Sequence, residues 1–224
     1  MPVGGALHGT SAAPPPLRYR SLMAHTVIVG SGNIGGTLTR RLRAAGRDVV
    51  VAVRDLHSER AVDLATRTGA RLATTGDALS GAEVVVLAVP GGAVADLVRE
   101  TATALDGLVV IDATNNIAGG GPFNAHEALT AAAPGVIYAR AFNTLGWENF
   151  ADPEIGGMTA DLFWCGDDRA TTAVEALIGD VGLHPIRVGG VEQLEVVDNL
   201  TRMWFALALT NGMGRHLAFK VLHE

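Results

Sequence analysis

Between residues 25 and 111 short apolar runs alternate with stretches of helical spacing. The run 25–29 meets Gly30-Ser31-Gly32 and leads into a predicted helix at 33–45, closed by Gly46. The β-branched run 49–53 leads to a polar helix at 58–68, closed by Gly69. A brief strand at 71–73, an apolar run at 84–89, a helix at about 93–105 and a run at 108–111 continue the pattern. Short apolar runs joined through helices of about a dozen residues read as buried parallel strands in right-handed βαβ units. The expected fold is therefore α/β, a doubly wound parallel sheet of Rossmann type.

Residues 113–121 form a loop rich in Gly and Asn, followed by a predicted helix at 124–132 and a strand at 135–142. A smaller strand-helix-strand unit is expected at 161–165, 170–178 and 183–188. The last 35 residues carry helical spacing, with Val191, Leu194, Val197, Thr201, Trp204, Phe205 and Ala208 on one face until Asn211-Gly212 and Gly214 interrupt it. The chain thus divides into an N-terminal extension (1–22) rich in Gly, Ala, Ser and Pro, a dinucleotide-binding unit (23–145) and a smaller C-terminal unit (146–224). The last of these completes a second cofactor or substrate site.

Composition narrows the chemistry. The formal charge of −6 argues against a protein whose affinity rests on nucleic-acid or lipid phosphates. The apolar runs fall short of a membrane span, and Pro14-Pro15-Pro16 without a following apolar stretch is no secretory signal, so a cytoplasmic address is expected. Of 17 basic residues only Lys220 is lysine, which removes mechanisms needing a catalytic lysine elsewhere. The single Cys165 excludes an internal disulfide and reads as a buried apolar residue. No two of the seven histidines stand at i, i+3 or i+4, so no metal site is expected. Asp167-Asp168 reads as a helix cap.

The strongest local signal is Gly30-Ser31-Gly32-Asn33-Ile34-Gly35, a GxGxxG between a strand and a helix. Gly30 permits the turn, Gly32 admits the pyrophosphate, and Gly35 lets helix and strand pack closely. About 20 residues on, an acid would select the ribose hydroxyl of NAD and an arginine the 2′-phosphate of NADP. Here Val53-Arg54-Asp55 puts the arginine first and favours NADP, with Asp55 leaving NAD open. Ligands in such sheets lie at the carboxyl ends of the strands. Val89-Pro90-Gly91-Gly92, the stretch from Asp112 through Asn115 and Asn116, and the stretch from Ala141 through Asn143 to Leu145 are therefore candidates to face a nicotinamide.

The glycine loop, Val53-Arg54, Ala88-Val89-Pro90, Cys165-Gly166-Asp167-Asp168 and Asn211-Gly212-Met213-Gly214 resemble the NADPH-dependent oxidoreductases related to the NADP reductase of the deazaflavin coenzyme F420, over about residues 24–223. Asp112-Ala113-Thr114-Asn115-Asn116 and Ala141-Phe142-Asn143-Thr144 are similar to a second branch, which includes the cytosolic domain of six-transmembrane ferric reductases and uses NADPH with ordinary flavin. The resemblance implies hydride transfer between nicotinamide and a flavin (FMN or FAD) or deazaflavin ring, with no catalytic acid or base from the protein. It implies that Ser31, Asn33, Ile34 and Arg54 hold NADP; the family's second basic group after Arg54 has no clear match here, leaving His57 or Arg60 as substitutes. It also implies that Asn143, Thr144, Leu145, Asn199, Thr201, Gly212 and Met213 line the second ring. Glu195 departs from the family's pattern, which has arginine there; a carboxylate repels the anionic tail of F420.

Two other functions remain open on the residues alone. One is a dehydrogenase or imine reductase acting directly on a small substrate, with Asp198 or Glu195 as acid; the other is a non-catalytic NADP sensor. Trp204 and Phe205 read either as a wall for a flavin ring or as core or subunit contacts, and the long apolar helix predicts a homodimer.

Overall fold

Alternate residues of each central strand enter opposite cores, and this sorting organises the molecule. A computed structural model describes residues 25–117 and 120–224; the expected extension at 1–22 lies outside the described residues. In β1 (His25–Val29) Ile28 joins one core while Val27 and Val29 join the other. Val49 and Val51 of β2 (Val49–Ala52) and Val84 and Val86 of β4 (Ala82–Leu87) take the first side. Their neighbours Val50, Ala52, Val85 and Leu87 take the second. Helices α1 (Asn33–Ala44), α2 (Glu59–Thr68) and α7 (Thr171–Val181) cover the first face through Leu38, Leu42, Leu64 and Leu177. Helices α3 (Thr75–Leu79), α4 (Val94–Leu105) and α5 (His126–Ala132) cover the second through Leu79, Val98 and Leu129.

The eight-stranded sheet has the order β10-β9-β6-β5-β4-β1-β2-β3, completed by β3 (Arg71–Ala73), β5 (Val109–Asp112), β6 (Ile137–Arg140), β9 (Asp161–Gly166) and β10 (His184–Gly189). All pairings are parallel except β6 with β9. This is the expected doubly wound α/β architecture, with the strand order reversing between β1 and β4 while the strands stay parallel. The strand-helix-strand unit β9-α7-β10 continues that sheet, and the first core runs from Ile28 through Leu162 to Val181. Its antiparallel entry is set by α6 (Trp147–Ala151) and the hairpin β7 (Glu154–Ile155) and β8 (Met158–Thr159), elements of two to five residues that show no periodicity in sequence.

The final helix α8 (Leu194–Phe205) widens into a π-helical turn at Ala206–Thr210. Val197, Thr201, Trp204 and Ala208 are buried as expected, whereas Val191 sits in a preceding 3-10 turn and is exposed. Among the described residues no helix is long and apolar enough to cross a membrane.

Beyond Gly214 the chain straps back over the body. The Trp204 indole donates to the Leu217 carbonyl (2.7 Å), the Asn149 amide donates to Arg215 O (3.0 Å), and Arg215 stacks 5.4 Å from the Trp204 ring. Lys220 Nζ donates to Asp161 Oδ1 (2.6 Å), and the Val221 amide to Oδ2 (2.7 Å). The one lysine is thus a structural clamp. Burial alone would raise the Asp161 carboxyl, but the bonds from Lys220, Val221 and His184 outweigh it and hold its pKa below the usual carboxylate value. Because the folded value is depressed, the strap stabilises above the ordinary carboxylate range and lets go as pH falls through the lowered value. Asp161→Asn should therefore cost about 2 kcal/mol at neutral pH. In thermal melts from pH 7 to pH 3 the gap to the parent protein should close in acid, and a gap constant with pH would refute the clamp.

Candidate functional site

The carboxyl end of β1 runs straight into the glycine loop. Gly30 has φ of +109°, and a Cβ there would lie 2.6 Å from the Ala88 carbonyl oxygen. A Cβ on Gly35 would fall 2.0 Å from the Gly30 carbonyl, so α1 approaches its own loop more closely than any side chain allows. Gly32 differs: nothing lies within 4 Å of the position its Cβ would take. It occupies the N-cap of α1 without a side-chain cap, and the first turn of α1 carries no acid. The helix start is left open to an anion, with N–H groups and the positive dipole end facing it.

A cleft of about 500 Å³ spreads from this loop, lined by Gly30, Ser31, Gly32, Arg54, Val89 and Pro90 among others. Asn33 stands exposed at its rim, and Ile34 packs against the first core. Arg54 is exposed on the lip after β2. Arg60, from α2, donates to Asn33 Oδ1 (2.7 Å) and so is tethered to the glycine loop. Asp55 turns a carboxylate oxygen onto the His57 amide (2.9 Å), which commits it to the local turn. Asp96 and Glu100 of α4 also line the cleft.

The carboxyl ends of β5 and β6 carry a buried polar network that the sequence did not reveal. Arg140 has no exposed surface. Its Nε donates to Asp198 (2.9 Å), its Nη1 to the Asp112 and Thr114 carbonyls (3.2 and 2.5 Å), and its Nη2 to Asn115 Oδ1 (2.8 Å). Asp112 accepts from the Ala125 amide (2.6 Å) and the Tyr138 hydroxyl (2.9 Å). Burial and the Asp112 charge push the Tyr138 hydroxyl well above its ordinary pKa, so it stays protonated. Asn115 in turn donates to the Asn143 carbonyl (3.2 Å), and the Asn143 amide donates to Thr201 Oγ1 (2.9 Å).

Asn115, Asn143 and Thr201 are thus joined in one chain of hydrogen bonds, with Thr144 and Leu145 buried next to Asn143. Asn143 Oδ1 and Thr144 Oγ1 are buried without a hydrogen-bond partner. Between them and β6, Phe142 holds φ of +60°, a conformation that costs a side-chain-bearing residue about 1–2 kcal/mol. Its ring packs edge-on to Phe150 at 5.7 Å. Residues held this way cluster at ligand sites.

Gly212 and Met213 lie apart, exposed beyond the π-helical turn, where the Met213 and Gly214 amides donate back to Leu207 and Ala208. Asn199 is exposed and accepts from Arg202 (2.7 Å). A second cleft, of about 560 Å³, opens beside the same edge, lined among others by Asn116, Phe123, Arg202, Phe205 and Leu209. Phe205 therefore faces a cleft, whereas Trp204 is buried against the strap. Phe123 and Arg202 were not singled out in sequence, since neither belongs to a local motif.

Other candidates resolve simply. Burial pushes the Cys165 thiol up to about 12, which leaves it unreactive. Asp167 caps a 3-10 turn through the Arg169 amide. Asp198 is 4% exposed and tied to Arg140 and Asn124, a poor position for a proton donor. Among the described residues no cluster of three or more His, Cys, Asp or Glu is arranged to hold a metal.

Comparison with known proteins agrees with this geometry. Residues 25–116 match the family described as NADP oxidoreductase, coenzyme F420-dependent. An F420-dependent NADP reductase of Methanothermobacter marburgensis is 26% identical, spanning 84% of this chain and 94% of that protein. A crystal structure from Arthrobacter sp. FB24, of a candidate F420-dependent NADP reductase, superposes with a TM-score of 0.75 at 22% identity, covering 88% of this chain and 99% of that one. A reductive aminase from Aspergillus terreus superposes with a TM-score of 0.64 at 19% identity, covering 85% of this chain and 63% of the other. The last two share the fold.

The different surroundings of two glycines give a test. Gly35→Ala should destabilise the fold by about 3 kcal/mol through overpacking. Gly32→Ala should melt like the parent but bind NADPH at least ~10-fold more weakly, because its methyl enters ligand space. Melting curves with NADPH fluorescence titrations would show it, and equal behaviour of the two variants would contradict the assignment of the loop.

Proposed function

We propose that the chain is an NADP-dependent oxidoreductase of the F420-dependent family that its residues 25–116 match, and that it moves a hydride between NADP(H) in the glycine-loop cleft and a flavin or deazaflavin ring at the strand edge beside it. NADPH would give up two electrons and its C4 hydrogen as hydride, becoming NADP⁺, and the acceptor would take its further proton from water. The observation that carries this reading is the pairing of an open helix start at Gly32 with a neighbouring cleft that has no acid in its lining. Both rings bring their own redox chemistry, so the protein supplies position and electrostatics. Arg54 supports NADP over NAD, and Arg60, tethered to the loop rim by Asn33, would share the 2′-phosphate.

A self-contained imine or carbonyl reductase is the second reading, favoured by the fold shared with the reductive aminase. It needs a proton donor near the acceptor, and the burial of Asp198 against Arg140 weighs against it. A sensor would bind NADPH without turnover.

Arg54→Ala should lower the preference for NADPH over NADH by about tenfold or more, read from KM or Kd for each. An unchanged ratio would remove the NADP assignment. NADPH oxidation followed with F420, FMN, FAD and ferric chelates should show turnover with at least one, and silence with all four would leave the sensor reading. Val196 and Met203, apolar and exposed on α8, support a homodimer. Sedimentation equilibrium should give twice the chain mass, and a monomer at micromolar concentration would dismiss it.

A further inference from the structure

We propose that the second cleft selects acceptors that combine an apolar aromatic ring with a single short anionic group, and that Arg202, stacked on Phe123, is the element that reads the anion. The inference rests on the hydride-transfer reading and goes beyond it in naming what the acceptor must carry.

The cleft is placed for an acceptor. At Gly91, in the turn after β4 that also bears Val89 and Pro90, a Cβ would fall 2.6 Å from the Asn116 Cα. The loop carrying Asn116 therefore lies directly on the turn that walls the first cleft, and the two clefts adjoin there. At about 560 Å³ the second one has the size of a small-molecule site. Phe123, Phe205 and Leu209 offer it an apolar surface, with Asn116 and Thr210 as neutral polar groups. Arg202 is the one ionisable side chain among its lining residues.

Two guanidinium groups flank Phe123, and they are in opposite states. Arg140, 5.8 Å from the ring centroid, is buried, and its bonds to Asp198, Asn115 and two carbonyls occupy its donors. Arg202, 4.5 Å from the same ring, is exposed, and its recorded bond goes to the neutral Asn199 side chain. Among the described residues no carboxylate pairs with it, in a chain whose net charge is −6. An arginine whose guanidinium carbon rests over an aromatic ring is already restrained, so less freedom is lost when it meets a carboxylate or phosphate. Glu195 stands seven residues earlier on α8, about 10 Å along the axis and near the same face. A long polyanionic tail running that way meets repulsion, whereas one anionic group close to the ring does not.

Riboflavin and FMN share one ring and differ by a phosphate, so they isolate the anion. Their binding is read from flavin fluorescence, with NADP⁺ present at saturation, in the parent protein and in Arg202→Gln. The expected result is FMN binding about tenfold more tightly than riboflavin in the parent, with the advantage lost in the variant while riboflavin and NADPH affinities stay unchanged. Equal affinity for the two flavins in the parent, an FMN advantage that survives in Arg202→Gln, or no binding of either flavin would overturn the proposal. NADPH oxidation measured on the same samples separates the two claims. Discrimination without turnover upholds the anion site and rejects hydride transfer to flavin; turnover without discrimination does the reverse.

Discussion

Arg140 carries a full charge at a position with no exposed surface, and the carboxyl edge of the sheet is built to meet it. Burial by itself would lower the pKa of the guanidinium; the Asp112 and Asp198 carboxylates, one on β5 and one on α8, outweigh that and raise it. The same two carboxylates reach outward to Tyr138, the Ala125 amide and Asn124. Four elements that are far apart in sequence are thereby held in one arrangement. Buried ion pairs add little net stability over an apolar core, but a partly satisfied one is costly, so the network tolerates few alternative packings. That restriction places Asn115, Asn143 and Thr201 in a single hydrogen-bonded row.

The consequence is a division of labour along the sheet edge. On the β1 side the backbone does the work: three glycines bring α1 close and leave its first turn open, and the charged groups stand at the rim. On the β5 and β6 side the work falls to buried polar side chains, with Phe142 in a strained conformation setting the direction of Asn143. The second cleft lies outside this rigid row, walled by α8 and its π-helical turn. The C-terminal strap fixes that wall from behind through Trp204.

How much of this could be read in the sequence depended on how local each signal was. The glycine loop, the alternation of short apolar runs with helices, and Arg54 are legible because steric freedom, continuous apolar runs and a fixed distance from the loop operate within a few tens of residues. The short elements α3, α6 and the β7-β8 hairpin were missed, being too brief for any period. Gly212 and Met213, expected at the second ring, stand exposed beyond the π turn, since a five-residue widening of a helix leaves no mark in an apolar pattern.

Sequence alone therefore determined the doubly wound core and the glycine-rich turn between β1 and α1, because both follow from backbone sterics and local hydrophobic spacing. Tertiary structure decided what faces the loop. Arg140 meets Asp198 across 58 residues, Lys220 meets Asp161 across 59, and Arg60 meets Asn33 across 27. The antiparallel entry of β9, which brings α8 over the sheet edge, likewise appears only once the chain has closed. In sequence a charge is one surface residue among many; whether it is buried and answered, like Arg140, or exposed without a carboxylate partner among the described residues, like Arg202, depends on neighbours that only folding supplies.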